Sequence, residues 1–69
     1  MRLSARNQIP ARVISINSGE AIANVELEAA GTRLVASITV EAVSELGLRV
    51  GNQVIAVIKA SDVIIATGD

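Results

Sequence analysis

The 69-residue chain has no histidine, no cysteine, no phenylalanine, tyrosine or tryptophan, and a single proline. Missing thiols exclude a disulfide frame and a zinc finger, and missing imidazoles exclude an ordinary catalytic triad or a histidine-based metal site. Missing aromatics remove the platforms on which single-stranded nucleic acid stacks. Neither sign of charge dominates: six Lys plus Arg against seven Asp plus Glu leave a net charge of −1, which offers no basic field to DNA or to an anionic membrane surface. The longest uninterrupted apolar run, Val54 to Ile58, is five residues, against the roughly 20 that span a bilayer. The opening Met1-Arg2-Leu3-Ser4-Ala5-Arg6-Asn7 has no apolar stretch of the kind a signal peptide carries. The expectation is a cytoplasmic protein with neither nucleic acid nor membrane as partner, and Met1 is read as its start.

Half of the chain is apolar, built from nine Val, nine Ile, five Leu and eleven Ala plus one Met. That alphabet leans towards strands. A domain this short buries only about 60% of its unfolded surface, and here it does so without large aromatics or covalent staples. A second copy of the same chain is the simplest source of further burial, so a homo-oligomer is expected.

The glycines are spread as punctuation, with no linker, repeat or low-complexity tract, so residues 1–69 are read as a single domain. Residues 2 to 6 suit a short opening strand, and Pro10 marks the entry to a segment, Ala11 to Ile16, that ends at the turn Asn17-Ser18-Gly19. From Ala21 to Ala29 apolar residues at 21, 23, 25, 27 and 29 alternate with Asn24, Glu26 and Glu28, the pattern of a half-buried strand. Ala30-Gly31-Thr32 is a short turn, and Arg33 to Thr39 resumes the alternation through Leu34, Ala36 and Ile38, so a hairpin is expected. Val40, Val43 and Leu46 then recur at helical spacing, with Thr39 as cap and Gly47 as stop. After a loop through Asn52, the segments Gln53 to Ala60 and Asp62 to Ala66 carry apolar residues on both faces. Val54, Ala56 and Ile58 fill a core while Ile55 and Val57 face elsewhere, towards a neighbouring subunit. The sum is an all-β fold of small α content, an OB-like barrel of about five strands with one short helix.

Catalysis without His or Cys would fall to carboxylates, Lys59, arginines and hydroxyls. Glu26 and Glu28 share a strand face but alternate with core residues, and Glu41 and Glu45 lie one turn apart on the expected helix, so all are read as solvated surface charge and no enzyme is expected. Two polar clusters interrupt strand-forming sequence. Ser4-Ala5-Arg6-Asn7 sets a hydroxyl and a guanidinium two residues apart around a small residue, and Lys59-Ala60-Ser61-Asp62 does the same with an ammonium. A tetrahedral oxyanion presents only acceptors, so these donors suit it, provided the two clusters meet. Alternatively Arg6 and Lys59 are ordinary surface cations at strand ends.

Ser4-Ala5-Arg6-Asn7-Gln8, Gly47-Leu48 before Val50-Gly51, and Val57-Ile58-Lys59-Ala60-Ser61-Asp62-Val63 occur in order and at the right separations to resemble the molbindin family, the stand-alone Mop form of the TOBE domain. The likeness spans essentially the entire chain. It implies a homohexamer, a trimer of dimers with exchanged strands, binding molybdate or tungstate as ligand and needing no cofactor. It also implies an interface site in which Ser4, Ala5 and Arg6 of one chain face Lys59, Ala60 and Ser61 of another, with Thr39 as an extra donor. A second class of site near a threefold axis would fall on Ser18-Gly19-Glu20-Ala21. Three copies of Glu20 brought together there would repel a dianion, so either Glu20 points outward or that site is weak.

Molybdate and sulfate are both dianions at neutral pH, so pocket size and donor placement must separate them, and the small Ala5 and Ala60 leave room for the larger ion. The favoured reading is binding and storage of the oxyanion. Its rivals are an oxyanion-sensing accessory module of a regulator or transporter and a purely structural oligomerisation domain. No helix-turn-helix region or Gly-rich phosphate loop accompanies the domain in this sequence.

Overall fold

A computed structural model describes residues 2–68; Met1, read above as the start, lies outside them. Four strands, β1 (Asn7–Ser18), β2 (Ile22–Ala29), β3 (Thr32–Thr39) and β4 (Gln53–Ile58), form one antiparallel sheet in the order β3-β2-β1-β4. A helix, α1 (Val40–Leu46), joins β3 to β4, and a single 3-10 turn, Ala60–Asp62, follows β4. The architecture is mostly β with one short helix, and the OB-like expectation holds. No helix among the described residues is long and apolar enough to cross a membrane.

β1 organises the sheet. Its first half pairs with β4, from Asn7↔Ile58 to Arg12↔Gln53, and its second half with β2, from Arg12↔Glu28 to Ser18↔Ala23. Where the two ladders overlap, the register against β2 shifts between Val13 and Ser15, a bulge that lets one strand bend and serve two neighbours. The β4-side ladder runs on into the preceding loop, where Val13 N–H donates to Asn52 O at 2.9 Å and Gly51 N–H to Val13 O at 2.8 Å.

Pro10 lies inside β1 rather than at the entry to a strand. Alternation from Val13 directs the backbone groups of odd residues towards β4, so the N–H that Pro10 lacks falls on the opposite side. β2 has already ended at that level, and no ladder bond is lost.

The expected hairpin forms between β2 and β3. Ala29 pairs with Thr32 across a two-residue loop in which Ala30 (φ 51°) and Gly31 (φ 82°) both take positive φ, the demand of a type I′ turn. The expected helix forms as well. Thr39 Oγ1 accepts from Ala42 N–H at 3.0 Å. At the other end Gly47 is left-handed, with Gly47 N–H donating to Ser44 O and Leu48 N–H to Val43 O, each at 3.1 Å.

The core is small: Ala11, Val13, Ala23, Val25, Leu27 and Ala29 are buried, backed by half-buried Leu34, Ile38, Val54 and Ala56. Val54, Ala56 and Ile58 turn inward while Ile55 and Val57 stay exposed, as the two-faced pattern of β4 requires. An open apolar groove of about 790 Å³ separates β3 from β4, with Leu34, Ile38, Leu48 and Val54 among its walls.

The terminal segments differ from expectation. Residues 2–6 are irregular, with bends at Ser4 and Arg6, and β4 ends at Ile58, two residues before the segment expected to run to Ala60. Residues 62–66, expected as a strand, leave the 3-10 turn without a ladder, and Ile64 and Ile65 are 93% and 87% exposed. The side chains of both segments suit strands, but neither pairs with a sheet edge of its own chain, although the outer edges of β3 and β4 are free.

Candidate functional site

The β1–β4 ladder closes on the rung Asn7↔Ile58. Because the strands are antiparallel, Ser4-Ala5-Arg6 enters the sheet where Lys59-Ala60-Ser61 leaves it. Counting outward from the last rung sets Arg6 abreast of Lys59, Ala5 of Ala60 and Ser4 of Ser61. Bends on one side and the 3-10 turn on the other take both segments off the ladder. The two donor groups, expected to face one another between chains, therefore already share one end of the sheet in a single chain.

This end is rich in unused donors. Ser4, Arg6, Lys59, Ala60 and Ser61 are exposed and Ala5 is half-buried. Among the described residues the one ion pair is Arg33–Glu26, elsewhere on the sheet, so neither Arg6 nor Lys59 is neutralised by a carboxylate. The 3-10 turn closes through Asp62 N–H to Lys59 O at 2.8 Å and Val63 N–H to Ala60 O at 3.3 Å, which leaves the N–H groups of Ala60 and Ser61 without a backbone acceptor among the described residues. Two cations, two hydroxyls and backbone N–H groups lie in the segments that flank this rung, with Ala5 and Ala60 adding no bulk. Charge and N–H and O–H donors of this kind are what an anion with several acceptor oxygens requires.

Thr39 stands apart. It ends β3 opposite Ile22, at the level where β1 finishes, so within one chain it is a full strand length from Arg6 and Lys59, and its hydroxyl oxygen caps α1. The turn Ser18-Gly19-Glu20-Ala21 lies at that same far end, exposed, with Gly19 N–H donating to Ile22 O and Ala21 O accepting from Val40 N–H, each at 2.8 Å.

The carboxylates behave as surface residues. Glu26 accepts from Arg33 Nε at 2.8 Å and from Ser15 Oγ at 3.3 Å, and the Arg33 guanidinium holds its carboxyl below the usual carboxylate range. Glu28 accepts from Gly31 N–H in the hairpin turn. No group of three or more Asp or Glu among the described residues is arranged to hold a metal ion.

One residue at the donor-rich end carries a structural bond that sequence reasoning did not assign. Asn7 Nδ2 donates to Ile58 O at 3.1 Å, across the rung that separates the two donor groups. Its place inside the Ser4–Asn7 cluster was the available signal, but its partner lies 51 residues away.

Residues 3–65 match the TOBE domain family. The chain is 41% identical over 66 residues to molybdenum-pterin-binding protein 1 of Clostridium pasteurianum, covering 94% of this chain and 97% of that protein. Its structure superposes on that of a molybdate binding protein from Sporomusa ovata with a TM-score of 0.94 at 36% identity, covering 97% of this chain and all of the other. MopII from Clostridium pasteurianum is similar with a TM-score of 0.89 at 37% identity, covering 96% of this chain and all of that one.

Proposed function

This chain belongs to the TOBE domain family, and from that footing we propose that it binds molybdate or tungstate and stores it in the cytoplasm, without catalysing a reaction. The observation that supports this reading is that Ser4-Ala5-Arg6 enters the sheet where Lys59-Ala60-Ser61 leaves it, on either side of the last rung of the β1–β4 ladder. Arg6 and Lys59 supply charge, Ser4 and Ser61 hydroxyl donors, and Ala5 and Ala60 backbone N–H groups with room for a large tetrahedral ion. A dianion gathered by local donors needs no basic protein, which suits a net charge of −1.

The working form is a homohexamer, a trimer of dimers. Two features support association: the open groove between β3 and β4, and the apolar tail Val63-Ile64-Ile65-Ala66, which pairs with no edge of its own chain. A tail laid along the groove of a second copy would cover both surfaces at once. The oxyanion site then lies at an interface, and Thr39, remote within its own chain, reaches it from another copy.

Calorimetric titration of anion-free protein with molybdate and tungstate, with sulfate as control and mass followed by light scattering, tests the reading. Saturable binding of either oxyanion by an oligomer, with little response to sulfate, is expected. An oligomer silent to both metal oxyanions would leave a structural assembly domain, and a monomer would remove the interface site.

A further inference from the structure

We propose that Asn7 is a positioning residue of the oxyanion site, acting on the anion's donors through Ile58 rather than by touching the anion; the inference rests on the site reading above. Asn7 and Ile58 form the last rung of the β1–β4 ladder, and the Asn7 side chain adds its own bond across that rung, Nδ2 to Ile58 O at 3.1 Å. Arg6 precedes one member of the rung and Lys59 follows the other. A single side-chain bond therefore ties together the two peptide segments that lead directly into the two donor groups.

The bond acts on a rigid unit. The Ile58 carbonyl belongs to the same planar peptide as the Lys59 N–H, so holding that oxygen fixes the plane from which Lys59 and the 3-10 turn depart. Besides the backbone pairing of this rung, little else near the site does this. The turn at Ala60–Asp62 has no side-chain cap. The neighbouring contact, Gln8 Nε2 to Ala5 O, is exposed and stretched to 3.5 Å, at the limit of a hydrogen bond. Asn7 is half-buried, which shields its bond from competing water.

The residue type fits the role. An aspartate here would set a carboxylate against the Ile58 carbonyl oxygen and bring negative charge beside a dianion, whereas the neutral amide donates without adding charge. Donors fixed before the ligand arrives lose less freedom on binding, so a support of this kind shows itself in affinity.

The test compares Asn7→Leu, similar in size but without a donor, with the parent protein by calorimetric titration with molybdate. Asn7→Val, a strand-favouring replacement, is the second variant in case Asn7→Leu assembles poorly. Binding about tenfold weaker is expected, the factor that one net hydrogen bond supports, at unchanged oligomeric mass. The same substitution is then made on a Lys59→Ala background and titrated at higher concentration. There it should cost clearly less than tenfold, because one of the donors that Asn7 positions has gone. Asn7→Leu and Asn7→Val proteins that bind like the parent, or the same tenfold cost on both backgrounds, would overturn the inference alone. A Lys59→Ala protein that binds like the parent would overturn the site reading and the inference with it.

Discussion

The two ends of the sheet solve the problem of loose backbone differently. At the end where β1 finishes, the chain meets its own needs: Thr39 caps α1, Gly47 and Leu48 close its far side, and Gly19 and Val40 donate to neighbouring carbonyls. At the end where β1 begins, Asn7 supplies the one side-chain tie across the rung, and around it stand two cations without carboxylate partners among the described residues, the N–H groups of Ala60 and Ser61 without backbone acceptors among them, and an apolar tail in solvent. A small domain that satisfies one end locally and leaves donors and apolar surface open at the other fits the proposed reading, in which the second end serves something outside the chain. The chemistry of what is left over indicates what that is: the apolar tail suits a second copy, and the donors suit an oxyanion.

The tail gives the sharpest way to break this contrast. Replacing Ile64 and Ile65 together by Asp should abolish assembly, because each isoleucine is expected to bury about 1.5–3 kcal/mol of apolar stabilisation against a partner; light scattering should then report the 7.1 kDa monomer. Unchanged mass would mean that the exposed tail takes no part in association. Next in size are the cations. Arg6→Ala or Lys59→Ala should each weaken molybdate binding by about tenfold to a hundredfold, the range of a hydrogen bond to a charged group, while the oligomer persists.

The self-satisfied end should respond first in stability. Removing the cap with Thr39→Ala should cost about 1 kcal/mol by denaturant unfolding. A marked loss of molybdate affinity on top of that would identify Thr39 as a donor from a neighbouring copy. In the hairpin turn, Ala30 holds φ 51°, so Ala30→Gly should be close to neutral or stabilising by up to about 1 kcal/mol. The smallest expected effect concerns pH. Arg33 lowers the Glu26 carboxyl in the folded chain, so this pair's support is complete above the ordinary glutamate range and fades as pH falls through the lowered value. Both groups are partly exposed, and the contribution is modest. Glu26→Gln should flatten that part of the stability–pH curve, as measured by thermal unfolding across acid pH.

Much of the fold could be read directly from the residues. Alternation at 23, 25, 27 and 29 and at 34, 36 and 38 marks one buried face of the hairpin, and Thr39 and Gly47 bracket a helix whose apolar residues recur at helical spacing. The two faces of β4 were equally plain. Pro10 misled because a proline reads as a boundary, and only the register shows that its missing donor faces an edge that β2 never reaches. The terminal segments misled for another reason: composition tells whether residues suit a strand, and says nothing of which edge, if any, they pair with. For the site, the donor types at 4–6 and 59–61 were visible as chemistry. Their meeting at one end depends on a ladder joining residues about fifty positions apart, and the Asn7–Ile58 bond depends on the same long-range pairing.

The central claim is that the unfinished end holds the anion. Crystals of the protein grown with molybdate, measured at the molybdenum absorption edge, would locate the ion without reference to any mutation. The expected result is an anomalous peak within hydrogen-bonding distance of Arg6, Lys59 and Ser61. A peak confined to the far end around Ser18–Ala21, or no ordered molybdenum in crystals of protein saturated in solution, would contradict it.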